Sequence, residues 1–164
     1  MLHVSKHPLV ADCMAKLRDK RTEPDEFRTL ARKVISLLLY EATADLAVHR
    51  GTVETPLGPA EAETVEQEIV AVPVLRAGLG LLGPVLELLP KVSVGYIGLE
   101  RDEDTAVARI YYNQLPPLTG KLPLPLDPML ATRGPGAPPR ALLQAPAATH
   151  CPSPWAGAAA ARVR

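Results

Sequence analysis

The chain has 164 residues, and its 18 acidic and 18 basic side chains give a formal net charge of zero. This length is sufficient for one domain with a hydrophobic core of its own. The charge is unevenly distributed, because every acidic residue lies at or before Asp127, and the first 132 residues carry 14 basic and 18 acidic groups, a net charge of −4. A negative net charge does not favour nucleic acid or an anionic membrane as a partner, and we expect neither.

The cysteine content indicates a reducing environment. The two cysteines, Cys13 and Cys151, are too few and too far apart for a disulfide framework or a zinc site. Lys6 and Asp12 interrupt any apolar stretch near the N-terminus, which does not resemble a signal peptide. We therefore expect a cytoplasmic protein.

The N-terminal part predicts two helices within residues 8–46. Leu9, Cys13 and Leu17 recur at a spacing of four residues, which predicts an amphipathic first helix. Thr22 and Asp25 resemble a capping box at the start of the second helix.

Pro24 fits the first turn of this second helix, where a missing N–H costs little. The helix is expected to continue to about residue 46. Its predicted buried stripe consists of Phe27, Leu30, Ala31, Val34, Leu37 and Leu38.

Residues 52–132 alternate between strand-like and helix-like patterns. The predicted elements are a strand at 52–55 followed by a turn, a strand or exposed connection at 60–68, a strand at 67–75 buried on both faces, a helix at 79–89, a buried strand at 92–99, part of a hairpin at 105–112 and a parallel strand at 122–126. This alternation predicts an α/β fold with an open, mainly parallel sheet flanked by helices.

A carboxylate ends the last of these strands. The apolar run of Leu122, Leu124 and Leu126 stops at Asp127, and a turn rich in glycine and proline follows. Such a turn can bind phosphate through backbone N–H groups while the carboxylate faces a cation. A capped surface turn explains the same residues, so both interpretations stay open here. Prolines at 123 and 125 are unusual for a central strand.

The run LDPMLAT at residues 126–132 resembles the phosphoribosyl pyrophosphate loop of uracil phosphoribosyltransferases. Five earlier segments resemble the same family in the same order: Tyr40-Glu41-Ala42, residues 54–58 (ETPLG), residues 74–80 (VLRAGLG), residues 101–105 (RDEDT) and residues 111–116 (YYNQLP). The resemblance implies a type I phosphoribosyltransferase-like fold over residues 1–132 that is incomplete at its C-terminal end.

The resemblance also implies the site. Arg76 and Arg101 would contact the pyrophosphate, and Asp127 would be the catalytic residue that hydrogen-bonds the ribose hydroxyls or orders Mg²⁺ through water. The metal would arrive with the substrate, with no direct protein ligand required. The phosphoribosyl pyrophosphate loop would comprise Asp127, Pro128, Met129, Leu130, Ala131, Thr132 and Gly134.

The activity implied is that of a glycosyltransferase in pyrimidine salvage. It transfers the 5-phosphoribosyl group from phosphoribosyl pyrophosphate to uracil and gives UMP and pyrophosphate. The family resemblance further implies a homodimer and, in some members, GTP as an effector. The alternative is a non-catalytic remnant that at most binds phosphoribosyl pyrophosphate or dimerises.

The resemblance stops at Thr132. The family loop continues Gly-Gly-Ser, whereas this chain reads Arg133-Gly134-Pro135. Residues 133–164 are dominated by Ala, Pro, Gly and Arg, and this composition predicts a disordered, low-complexity tail. We hypothesise that a reading-frame change near codon 133 replaced a C-terminal part containing the uracil site, and we expect little or no activity.

Overall fold

The computed structural model describes residues 4–89, 91–101 and 108–128, and for Arg101 and Ala108 it describes the backbone alone. The elements of this part of the chain alternate between helix and strand. In chain order they are α1 (Pro8–Leu17), α2 (Pro24–Ala42), β1 (Val48–Thr55), β2 (Gly58–Val65), β3 (Ile69–Leu75), α3 (Leu79–Leu88), β4 (Ser93–Val94), β5 (Tyr96–Arg101), β6 (Ala108–Gln114) and β7 (Leu122–Leu126).

Helix α1 packs on α2 through a stripe that differs from the predicted one at its first position. Val10, Cys13 and Leu17 are buried, whereas Leu9 is 57% exposed. A spacing of three and then four residues follows one helix face more closely than a constant spacing of four, because a helix has about 3.6 residues per turn. The prediction for Leu9 was therefore wrong.

The predicted capping box at the start of α2 was also wrong. Thr22 donates its hydroxyl to the carbonyl oxygen of Lys16 at 2.6 Å, so it satisfies the end of α1. Glu23 is the N-cap of α2 and makes no capping hydrogen bond with its side chain. Pro24 begins the helix as predicted, and the helix ends at Ala42, before the predicted residue 46.

Helix α2 buries two different faces along its length. Leu30 and Val34 pack against α1, while Leu39 belongs to the core beneath the sheet. Leu39 lies about 140° around the helix from Val34, because five residues turn an α-helix by about that angle. A single stripe could not describe this helix: Phe27, predicted to be buried, is 43% exposed, and the prediction did not include Leu39.

Strand β3 is the centre of the sheet. It pairs in parallel with β7 on one side and with β4 and β5 on the other, and β6 runs antiparallel to β5. Residues 69–74 are all buried. On one face Ala71 packs with Val85 of α3, and on the other Val72 packs with Ile97. The predicted fold class, an α/β fold with an open, mainly parallel sheet flanked by helices, is confirmed.

Strands β4 and β5 are two pieces of the strand predicted at residues 92–99. The register does not change between them, because Val70 pairs with Ser93 and Val74 pairs with Ile97. Gly95 lies at the break and still donates its N–H to Ala71 O at 2.9 Å. The break therefore leaves the alignment with β3 intact.

At both prolines of β7 the backbone nitrogen points away from β3. Leu122 donates its N–H to Glu68 O at 2.7 Å, and amide directions alternate along a strand. The missing N–H groups of Pro123 and Pro125 would therefore point away from β3, to which β7 is paired along its whole length. These prolines remove no donor from the β3–β7 ladder, which explains how a parallel strand accommodates them.

Strands β1 and β2 form a separate two-stranded antiparallel sheet, so the strand alternative for residues 60–68 was right in kind, although β2 ends at Val65. Residues 48–65 are exposed or half-buried throughout. Among the helices of the described part of the chain, none has the length and apolar character needed to cross a membrane.

Candidate functional site

Three strands end at one edge of the main sheet. Strand β3 runs parallel to both β5 and β7, so their carboxyl ends point the same way. Ligands of open α/β sheets bind at this edge, where loops leave the strands. The residues that follow these strand ends are therefore the first candidates for a binding site.

Arg76 lies in the turn between β3 and α3. Its side chain is exposed, and the peptide bond that joins it to Leu75 is cis. The carbonyl of Arg76 accepts the N–H of Leu79 at 3.2 Å, and that of Ala77 accepts the N–H of Gly80 at 3.3 Å. These bonds make the turn continuous with the first turn of α3, so the backbone that holds the Arg76 guanidinium is well fixed.

Asp127 follows directly after β7. Leu126 pairs with Pro73, so Asp127 lies level with Val74, close to the end of β3. Asp127 is 6% exposed, and it is a buried charged residue in the described part of the chain. Pro128 is half-buried. This edge therefore carries a buried carboxyl group after β7 and an exposed guanidinium after β3.

The Arg76 turn contacts the end of β7 directly. A Cβ placed on Gly78 would lie 2.5 Å from the carbonyl oxygen of Leu126, the residue before Asp127. It would also lie 2.5 Å from Val74 N and 2.7 Å from Val74 O. The backbone of the turn therefore rests on β3 and β7 together, and the structure brings the backbones of Arg76 and Asp127 to one junction.

Arg101 lies farther out along the same edge. Leu75 pairs with Gly98, and Arg101 is three residues beyond it in β5, about 10 Å at a rise of about 3.3 Å per residue. The described structure of Arg101 is limited to its backbone, which pairs with Ala108. Met129, Leu130, Ala131, Thr132 and Gly134 lie outside the described residues.

The described residues do not build a metal site of their own. Within residues 4–89, 91–101 and 108–128, no group of three or more His, Cys, Asp or Glu side chains could hold a metal ion. A single carboxyl group, that of Asp127, follows the end of β7. Carboxylate oxygen suits Mg²⁺, and the described residues supply one such group at this edge, fewer than a metal ion held by protein ligands requires.

One close contact near this edge, between Gly98 and Tyr111, was not predicted from the sequence. A Cβ on Gly98 would lie 2.5 Å from Tyr111 Cζ and 2.8 Å from Tyr112 Cβ. Gly98 thus makes room for Tyr111, whose position coincides with a shift in the β5–β6 register. A glycine inside an apolar strand is the signal for such a close approach.

Comparisons with known proteins agree with this architecture. The sequence model of the family described as "Uracil phosphoribosyltransferase" matches residues 4–136 and so continues past Thr132. The uracil phosphoribosyltransferase of Roseiflexus sp. (strain RS-1) is 46% identical over 132 residues, 80% of this chain and 64% of that protein. The enzyme of the same name from Fervidobacterium nodosum is 46% identical over 134 residues, 80% of this chain and 65% of that protein.

A solved structure, that of the AQ2163 protein from Aquifex aeolicus, superposes with a TM-score of 0.72 at 35% sequence identity, covering 78% of this chain and 62% of that one. This chain thus spans slightly under two thirds of the length of these relatives. The matched region contains both helical and sheet parts of the described fold, including the edge with Arg76 and Asp127. The chain belongs to the uracil phosphoribosyltransferase family.

Proposed function

We propose that the edge with Arg76 and Asp127 is the phosphoribosyl pyrophosphate side of a uracil phosphoribosyltransferase site. In the reaction the bond between ribose C1 and the pyrophosphate oxygen breaks, and a bond between C1 and N1 of uracil forms. The N1 proton of uracil passes to water or to the released pyrophosphate, and the products are UMP and pyrophosphate. The reaction is a glycosyl transfer and needs no protein nucleophile.

The observation that carries this proposal is the junction of the Arg76 turn with the end of β7, in a chain whose family match spans both segments. An exposed guanidinium can bind a pyrophosphate with two parallel hydrogen bonds. A carboxylate at the neighbouring strand end can accept hydrogen bonds from ribose hydroxyls. Together they hold the leaving group and the sugar in fixed relation, which is the main contribution a protein makes to such a transfer.

Further parts of the proposal involve residues farther along this edge and in the loop after β7. Arg101 would be the second contact for pyrophosphate, and residues 128–132 with Gly134 would hold the 5-phosphate. Mg²⁺, brought by the substrate, would neutralise charge on the leaving pyrophosphate. A homodimer, a GTP effector site and a cytoplasmic location belong to the same proposal, the last because a chain with two cysteines is typical of a reducing compartment.

Calorimetric titration of the chain with phosphoribosyl pyrophosphate and Mg²⁺ tests the proposal. We expect binding, and we expect Arg76→Gln to weaken it about 10- to 100-fold, since a hydrogen bond to a charged group contributes about 1.5–3 kcal/mol. Incubation with uracil and detection of UMP in the same samples separates a binder from a catalyst.

Arg32→Gln is the matched control. Arg32 is an exposed arginine that pairs with Glu87 near the last turn of α3, whereas the strand ends lie at the first turn of that helix. The control should bind like the unmodified chain. Equal losses in Arg76→Gln and Arg32→Gln, or no binding by the unmodified chain, would contradict the proposed function.

A further inference from the structure

Gly78 is enclosed by backbone atoms of two strands. It is buried, its N–H donates to Val74 O at 2.8 Å, and a Cβ at this position would lie 2.5 Å from both Val74 N and Leu126 O. These two atoms are near neighbours where β3 and β7 end. The glycine backbone therefore lies directly over the last rung that joins the two strands.

Residue 78 must be a glycine because there is no space for a side chain, and not because of its backbone angles. Gly78 has φ −61° and ψ −20°, ordinary right-handed helical angles that any residue adopts. A methyl group would nevertheless approach backbone atoms about 1 Å closer than the 3.4 Å at which ordinary contact begins. Backbone atoms inside a paired strand cannot rotate away as a side chain can, so the turn would have to move.

We propose that Gly78 is a positioning residue that sets the distance between the Arg76 turn and the end of β7 that leads into Asp127. This inference rests on the proposed function, because Arg76 and Asp127 are the groups it would position. A side chain at residue 78 lifts the turn from the strand ends and carries the Arg76 backbone away from Asp127. A displacement of about 1 Å in a positioning element can reduce the rate of a reaction about 100-fold.

Two other glycines supply matched controls. Gly80, in the first turn of α3, has no heavy atom within 4 Å of its added Cβ. Gly95, between β4 and β5, would meet Leu115 Cδ2 and Pro116 Cδ at 2.8 Å each. Gly80→Ala therefore tests an alanine close to the turn without a clash, and Gly95→Ala tests a clash inside the sheet away from the strand ends.

The experiment compares Gly78→Ala, Gly80→Ala and Gly95→Ala by thermal unfolding and by titration with phosphoribosyl pyrophosphate and Mg²⁺, at a temperature where each variant is folded. We expect Gly78→Ala to weaken binding at least 10-fold. Gly80→Ala should bind within 2-fold of the unmodified chain, and Gly95→Ala should lower the unfolding midpoint with binding also within 2-fold. Binding by Gly78→Ala within 2-fold of the unmodified chain overturns the inference, as does an equal loss in Gly95→Ala.

Amide NMR spectra without ligand separate this inference from the proposed function. Gly78→Ala should shift the amide resonances of both Arg76 and Asp127, whereas Gly80→Ala should leave that of Asp127 in place. If the unmodified chain fails to bind but this pattern holds, the proposed function falls and the positioning role stands. An unshifted Asp127 amide in Gly78→Ala overturns the role.

Hydrogen exchange of the unmodified chain covers the case in which Gly78→Ala does not fold. The amides of Gly78 and Val74 should then exchange through one common opening, with the same dependence on urea, because the turn and the strand ends form one packed unit. Exchange of Gly78 more than 100-fold faster than that of Val74 would show a loose turn and overturn the inference.

Discussion

Strand β3 and the β1–β2 hairpin differ in what surrounds them more than in their length. Strand β3 has seven residues, and residues 69–74 are all buried. The hairpin has two strands of eight residues each, in continuous antiparallel register, and none of its residues is buried. The shorter strand lies within the five-stranded sheet, whereas β1 and β2 pair only with each other among the described strands.

The difference shows that the stability of a strand against opening depends on the strands that pair with it and on the elements that cover its faces. An isolated two-stranded hairpin is marginally stable in water, however regular its ladder. A strand that is paired on both sides and covered on both faces opens only when the sheet opens. We therefore expect β3 to exchange its amides by global unfolding, and the hairpin to open locally at much lower free energy.

Truncation in the core should have the largest effect and should act on the whole fold. Ile97 is fully buried and packs against Val70 and Val72 of β3. Ile97→Ala removes these contacts and leaves a cavity, which should lower the free energy of unfolding by about 2–5 kcal/mol. Urea unfolding followed by circular dichroism measures the change.

Val53→Ala is the matched control in the hairpin, where Val53 is 44% exposed. Its effect on the same urea transition should lie within about 0.5 kcal/mol. If the two variants were equally destabilised, the hairpin would have to be part of the core unit, and the contrast between the two regions would be wrong.

The central strands were predicted well from the sequence, because a strand that is buried on both faces consists of a continuous run of apolar residues. A continuous apolar run with β-branched residues identified β3, and the run that ends at Asp127 identified β7 with its bounds. The alternation of strand and helix predicted the parallel sheet, whereas the direct pairing of β3 with β7, which places Asp127 near the Arg76 turn, is known only from the structure.

Other features could not be predicted, because they depend on partners distant in the chain. Leu39 is buried by the sheet and Val34 by α1, and no single periodicity shows that one helix serves two partners. The role of Pro123 became clear only from the direction of the Leu122 amide. The crowding at Gly78 comes from Val74 and Leu126, which lie on two different strands and are far apart in the sequence.

A substitution at the hairpin turn should produce a smaller effect that stays local. Gly58 has φ 122°, where a side chain is strained, and its carbonyl accepts the Thr55 hydroxyl at 2.7 Å. Gly58→Ala should cost about 1–2 kcal/mol, so that amides of β1 and β2 exchange about 5- to 30-fold faster. Hydrogen exchange measured residue by residue gives both regions in one experiment.

Gly51→Ala is its control within the same hairpin, because the added Cβ meets only the His49 ring at an ordinary 3.5 Å. This variant should leave exchange in the hairpin unchanged within about 2-fold. Faster exchange in β3 after Gly58→Ala would show that the hairpin and the core open together, against the expectation of two units.

The smallest effect is expected for the ion pair across the hairpin, and it sharpens the contrast with the apolar contacts of β3. Arg50 Nε lies 2.8 Å from Glu63 Oε1, the two residues are directly opposite in the ladder, and their side chains are 84% and 54% exposed. A double-mutant cycle with Arg50→Gln and Glu63→Gln should give a coupling of about 0.2–1 kcal/mol in local hydrogen exchange at low salt.

In 1 M salt the Debye length falls to about 3 Å, so the coupling should largely vanish, while the effect of Ile97→Ala should persist. A coupling that survives high salt would mean that the pair is shielded from water. That result would contradict the exposure of the two side chains and the contrast between the hairpin and β3.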